Sequence, residues 1–110
     1  MPSTGWWWSA AEPGSGYAIE VQGNQLFLII AAYDPDGHAS WSVAAGPLVS
    51  PNLFQGTLFS FVGGQALLDA YHAPAAAQPV GSVSLQFLDS QTATITLPTG
   101  RSLSLTRFQF

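Results

Sequence analysis

Cysteine is absent from this chain. Disulfides, thiolate nucleophiles and cysteine-ligated zinc are therefore excluded. Lysine is absent too, and the only basic residues are Arg101 and Arg107. Charged residues make up 7% of the sequence, with a formal net charge of −4, against about a quarter in an average globular chain. Two arginines cannot neutralise a phosphate backbone, which excludes nucleic acid as a partner. The same shortage argues against adhesion to anionic lipid. No apolar run reaches the roughly 18 residues of a membrane-spanning helix. Met1-Pro2-Ser3-Thr4 has neither the basic start nor the apolar segment of a secretory signal.

The familiar catalytic motifs are missing as well. There is no Gly-x-Ser-x-Gly, and no histidine stands where it would activate a serine. Gly63-Gly64 lacks the lysine of a phosphate-binding loop. Asp34 and Asp36 begin like a calcium loop, but the glutamate that completes one is absent, so both are read as turn residues. The only histidines are His38 and His72. Asp69 and His72 are three apart, which on a strand sends them to opposite faces, so they form no metal pair. No metal and no cofactor is expected.

What is present is short alternation broken by turns. With 110 residues the chain is read as one domain, 1–110. Folding at this size buries roughly two-thirds of the unfolded surface, enough for a core without staples. Strands are predicted over 5–9, 17–22, 25–33, 39–46, 53–62, 80–88, 92–97 and 102–109. Residues 66–72 are ambiguous, and Ala73 to Pro79 reads as one long Ala/Pro-rich loop. Gly23-Asn24, Asp34-Pro35-Asp36-Gly37, Ser50-Pro51-Asn52, Asp89-Ser90-Gln91 and Pro98-Thr99-Gly100 are turn signals. Links this short make sequential strands antiparallel neighbours. The expected fold is all-β, an antiparallel up-and-down meander barrel of eight or nine short strands, since closure removes both exposed edges.

Two segments are apolar on both faces. Trp6, Trp7 and Trp8 stand in a row, so Trp6 and Trp8 share one face and Trp7 takes the other. Residues 25–33 (QLFLIIAAY) are apolar on both faces. Both strands are expected to be covered on both sides. Arg107 falls on the apolar face of its strand beside Leu103 and Leu105. A cation there needs a partner, and packing across Trp6 or Trp8 at the seam between first and last strands would supply it.

Gly5, one of Trp6 or Trp7, and Arg107 resemble the Gly-x-Trp start and late arginine of the calycins, the lipocalin and avidin group of barrels. That resemblance implies a calycin-like barrel. A second resemblance covers most of the chain. Trp8, Glu12, Gly14, Gly16, Ile19, Glu20, Tyr33, Asp34, Gly37 and Trp41 are similar to the W-N-P-x-E-S/P-G-x-G-x-x-I-E and Y-D-x-x-G-x-x-W-Y pattern of an uncharacterised small β domain of exported proteobacterial proteins. The chain departs from it at Ser9, Ala10 and Ser42. That resemblance implies a periplasmic or secreted location and brings no activity with it.

Function rests on the aromatics. Trp6, Trp8, Tyr17, Trp41 and Tyr71, with Glu20, are the candidate ligand-binding residues, and Arg107 is assigned to closure. Most of the rings are expected in the core, with a small pocket at one mouth. The expected function is a non-catalytic binding domain of an exported bacterial protein, holding a small apolar or carbohydrate ligand. One alternative is a barrel enzyme of cyclase or isomerase type with Glu20 or Glu12 as acid/base. On alternation, Glu20 falls on the solvent face, and Glu12 lies in a turn-rich loop that it would brace. The other alternative is a structural domain that self-associates into a homo-oligomer, favoured by the scarcity of charge.

Overall fold

The structure is a computed structural model that describes residues 3–33, 36–60 and 77–109. Eight strands follow one another in order: β1 Gly5–Trp8, β2 Gly16–Gln22, β3 Gln25–Tyr33, β4 Ala39–Ser50, β5 Leu53–Ser60, β6 Gln78–Phe87, β7 Thr92–Thr96 and β8 Ser102–Arg107. Each pairs antiparallel with the next, and β8 returns to β1. The result is a closed up-and-down barrel with no helix among the described residues.

Alternation selects what lies inside. Tyr17 and Ile19 of β2, Leu26, Leu28 and Ile30 of β3, Val83, Leu85 and Phe87 of β6, Ala93 and Ile95 of β7 and Leu105 of β8 are all buried in one core cluster. Phe54 and Leu58 of β5 join them. An eight-stranded barrel is narrow enough for side chains to fill, and these residues pack its centre. The outward partners on β6, β7 and β8 are Ser82, Ser84, Thr94, Thr96, Ser102 and Ser104, a hydroxyl surface that replaces the missing charge. Thr96 Oγ1 and Ser102 Oγ lie 3.1 Å apart across that surface.

Turn chemistry sets the register. Gly23 takes φ of +59° at the first turn position of the β2–β3 hairpin, and Gln22 then faces Gln25. In the β6–β7 turn, Asp89 Oδ1 accepts the backbone N–H of Gln91 at 2.7 Å and of Thr92 at 2.8 Å. These bonds, the Gln91 backbone N–H foremost, hold the Asp89 carboxyl below its ordinary value of 3.8. A depressed carboxyl pKa adds stability that is present above the unfolded value and lost as pH falls through the folded one. Asp89→Ala should therefore melt lower than the parent near neutral pH. The gap should close as pH falls below 3.8, which thermal melts across the acid range would measure.

Two strands run longer than expected. β4 continues past Gly46-Pro47 to Ser50, where the register with β5 shifts between Leu48 and Ser50 and Val49 is the extra residue. β6 begins at Gln78, so Gln78 and Pro79 belong to the sheet and not to a loop. Pro79 pairs with Phe59 and Gly81 with Leu58, leaving Val80 as a bulge. A proline lacks the N–H of a regular ladder and is tolerated beside such an irregularity. Residues 66–72, the start of the Ala/Pro-rich segment and Tyr71 lie outside the described residues.

The barrel closes through a short seam. Trp7 faces Arg107 and Trp8 faces Thr106. Residues directly opposite in a sheet share a face, so Arg107 lies on the face of Trp7, not on that of Trp6 and Trp8. Its Nε donates to the carbonyl of Thr4 at 3.1 Å. The Trp7 indole N–H donates to the carbonyl of Ser3 at 3.1 Å. Both side chains thus anchor the same N-terminal segment. Gly5 sits with φ of +148°, and a Cβ there would stand 2.8 Å from Arg107 Nε, so the guanidinium occupies the space a side chain would need.

Candidate functional site

The three tryptophans divide between two environments. Trp7 is 0% exposed and meets Phe87 edge-to-face at 5.6 Å inside the core. Trp6 faces Ala18 across the β1–β2 pair and lies outside, 39% exposed. Trp8 is half-buried on the same outer face, where its ring meets Phe108 edge-to-face at 5.4 Å. The Phe108 backbone N–H donates to the Trp6 carbonyl at 2.7 Å, which places Phe108 beside β1.

These rings border a groove of about 460 Å³ on the outside of the barrel. Its aromatic walls are Trp6, Trp8, Phe108 and Tyr33, the last of them 65% exposed at the end of β3. The floor is Gly16 and Ala31, which pair across β2 and β3. Pro13, Gly14 and Ser15 of the β1–β2 loop and Ala39 and Ser40 of β4 complete the rim. A Cβ on Gly16 would overlap the outer ring atoms of Trp6, so the indole lies directly on that glycine. Here the glycine supplies space. Gly16→Ala should push the Trp6 ring into solvent, with a loss of about 1 kcal/mol because an exposed ring can swing away. A red-shifted tryptophan emission with a small fall in Tm would report it.

The loop above the groove is braced. The Glu12 carboxylate forms an ion pair with Arg101 of the β7–β8 turn. The Glu12 N–H donates to the Ser9 carbonyl at 3.1 Å, and Ser15 Oγ donates to the Glu12 carbonyl at 3.4 Å. Glu12 therefore serves the loop. Glu20 lies on the outer face of β2, exposed, with Gln22 Nε2 donating to its Oε1 at 3.5 Å. It points away from the core, and an enclosed acid/base carboxylate at this position is not what the barrel contains. Neither carboxylate lines the aromatic groove. Among the described residues no group of three histidine, aspartate or glutamate side chains is placed to hold a metal.

The expected ligand set is thus split. Trp6 and Trp8 come together at the groove. Tyr17, expected at a ligand, is instead 2% exposed in the core beside Ile19, as its position in the alternation requires. Trp41 is exposed on the outer face of β4, opposite Ala31. Tyr33, Phe108 and the Gly16–Ala31 floor were not expected. Phe108 alternates against Leu103 and Leu105, which marks it as outward-facing, but its neighbour Trp8 lies a hundred positions earlier in the chain.

A second surface departs from expectation. Among the described residues the outer face of β3 is only partly covered: Phe27 and Tyr33 are exposed, with Trp41 of β4 beside them. Comparison of the chain with known protein families, with curated proteins and with solved structures gives no match.

Proposed function

We propose that this domain is a non-catalytic binding module of an exported protein, and that it holds a small apolar or carbohydrate ligand in the outer groove. The observation that carries this reading is the convergence of Trp6, Trp8, Tyr33 and Phe108 on one concave site floored by Gly16 and Ala31. Large rings over small residues make a surface that apolar groups and sugar faces stack on. The apolar core cluster at the centre of the barrel supports an outer place for the ligand. Support for the calycin resemblance comes from Gly5, Trp7 and Arg107 meeting at the seam.

The test is a titration with a panel of oligosaccharides and small apolar compounds, followed by tryptophan emission. A binding module should give a ligand-dependent change that survives Glu20→Gln and loses at least about fivefold in affinity in Trp6→Ala, the worth of about 1 kcal/mol of ring contact. Loss of the response in Glu20→Gln would point instead to a carboxylate at the site.

One observation favours a second reading, self-association. Phe27, Tyr33 and Trp41 form an exposed apolar face across β3 and β4. If no ligand changes the melting temperature while dilution lowers it, this reading replaces the first.

A further inference from the structure

We propose that the groove's ligand class is a quaternary ammonium cation, a trimethylammonium group held on the faces of Trp6, Trp8 and Tyr33. The inference rests on the reading that the groove is a ligand site, and it replaces a neutral apolar or sugar ligand there with a cation.

Charge is the first reason. The chain has two cationic side chains and a net charge of −4. Both cations are already engaged: Arg101 with the Glu12 carboxylate, and Arg107 with the Thr4 carbonyl. Neither lines the groove. No cationic side chain therefore stands on its walls to hold an anion, and the net charge of the whole chain favours a cation. Aromatic faces carry the negative side of the ring quadrupole, and several of them about one space attract a positive charge.

The kind of cation follows from what the walls lack. Among the described residues no carboxylate lines the groove. A primary ammonium would lose water from its N–H donors there without a charged acceptor to replace it. A quaternary ammonium has no N–H to satisfy. Its charge is spread over methyl groups that pack on rings, and it gives up water more easily. A neutral group of the same shape packs equally well and gains nothing from the ring quadrupoles.

The test uses the full chain, with choline as the cation and, as the control, its neutral carbon isostere, in which a tert-butyl group replaces trimethylammonium. Indole N–H resonances follow each titration. The proposal expects the Trp6 and Trp8 signals to move, choline to bind about tenfold more tightly than the isostere, and most of that preference to vanish in Trp6→Leu. Thermal melts confirm that the variant is folded, and Trp8→Leu repeats the test if it is not. Equal or tighter binding of the isostere overturns the cation inference and leaves the groove reading standing. No shift of Trp6 or Trp8 with any compound overturns both. Movement confined to Trp41 places the site elsewhere and overturns the proposal. The trimethylammonium group occurs free and on a lipid headgroup. Co-sedimentation with phosphatidylcholine vesicles would assign the headgroup, and binding of free choline without co-sedimentation would assign the soluble form.

Discussion

Trp7→Ala should cost about 3–5 kcal/mol, the range for truncating a fully buried large aromatic. That is a large share of the roughly 5–15 kcal/mol that holds a domain of this size, and it should lower Tm by about 15 °C or leave the chain unfolded. Three losses coincide at this one residue. Its ring is 0% exposed and packs edge-to-face on Phe87 of β6, so it ties the first strand to the far side of the core. Its indole N–H holds the Ser3 carbonyl. It also stands opposite Arg107 at the seam. Its neighbours should behave differently. Trp6→Ala removes a ring that is already 39% in solvent, and the cost should stay at about 1 kcal/mol. Denaturant melts of the two variants would show the contrast.

Arg107→Ala should cost about 1.5–3 kcal/mol. A hydrogen bond from a charged donor contributes about 1.5–3 kcal/mol, and here it fastens Thr4 to the last strand at 3.1 Å. The seam has little else. Two residue pairs, Trp7 with Arg107 and Trp8 with Thr106, join β1 to β8, with the Phe108 N–H to Trp6 carbonyl bond at 2.7 Å beyond them. Losing the guanidinium also empties the space against Gly5. Arg107→Lys should recover little, because an ammonium on a flexible stem does not present the planar group or the Nε donor. Hydrogen exchange is the sharper readout. Amides of residues 5–8 and 106–108 should lose protection well before those of β3 and β4, which share a nine-pair ladder from Gln25 with Pro47 to Tyr33 with Ala39.

Alternation made much of the barrel legible. On β2 the set Tyr17, Ile19 and Val21 against Ala18, Glu20 and Gln22 separates inside from outside by residue type alone, and Val83, Leu85 and Phe87 do the same on β6. The pattern fails where a strand is apolar on both faces. On β1 every residue after Gly5 is a tryptophan, so period two separates Trp7 from its neighbours without saying which side is in. The answer lies in the register with β8, a contact between residues about a hundred positions apart, to which local pattern is blind. β3 poses the same problem, and there Phe27 and Tyr33 are exposed on the outward face among the described residues. The groove is harder still to foresee. Its walls come from β1, the end of β3 and Phe108, and they meet only after the barrel has closed. Its floor depends on Gly16, which reads in the sequence as part of a turn-rich stretch and serves in the fold as the bed for Trp6.

The packed interior holds Trp7, and the outer groove offers Trp6 and Trp8. The indole N–H spectrum recorded through a ligand titration tests that division most directly. The resonances of Trp6 and Trp8 should move together while that of Trp7 stays still. A titration in which Trp7 moves and Trp6 and Trp8 do not would place the ligand inside the barrel and contradict the division.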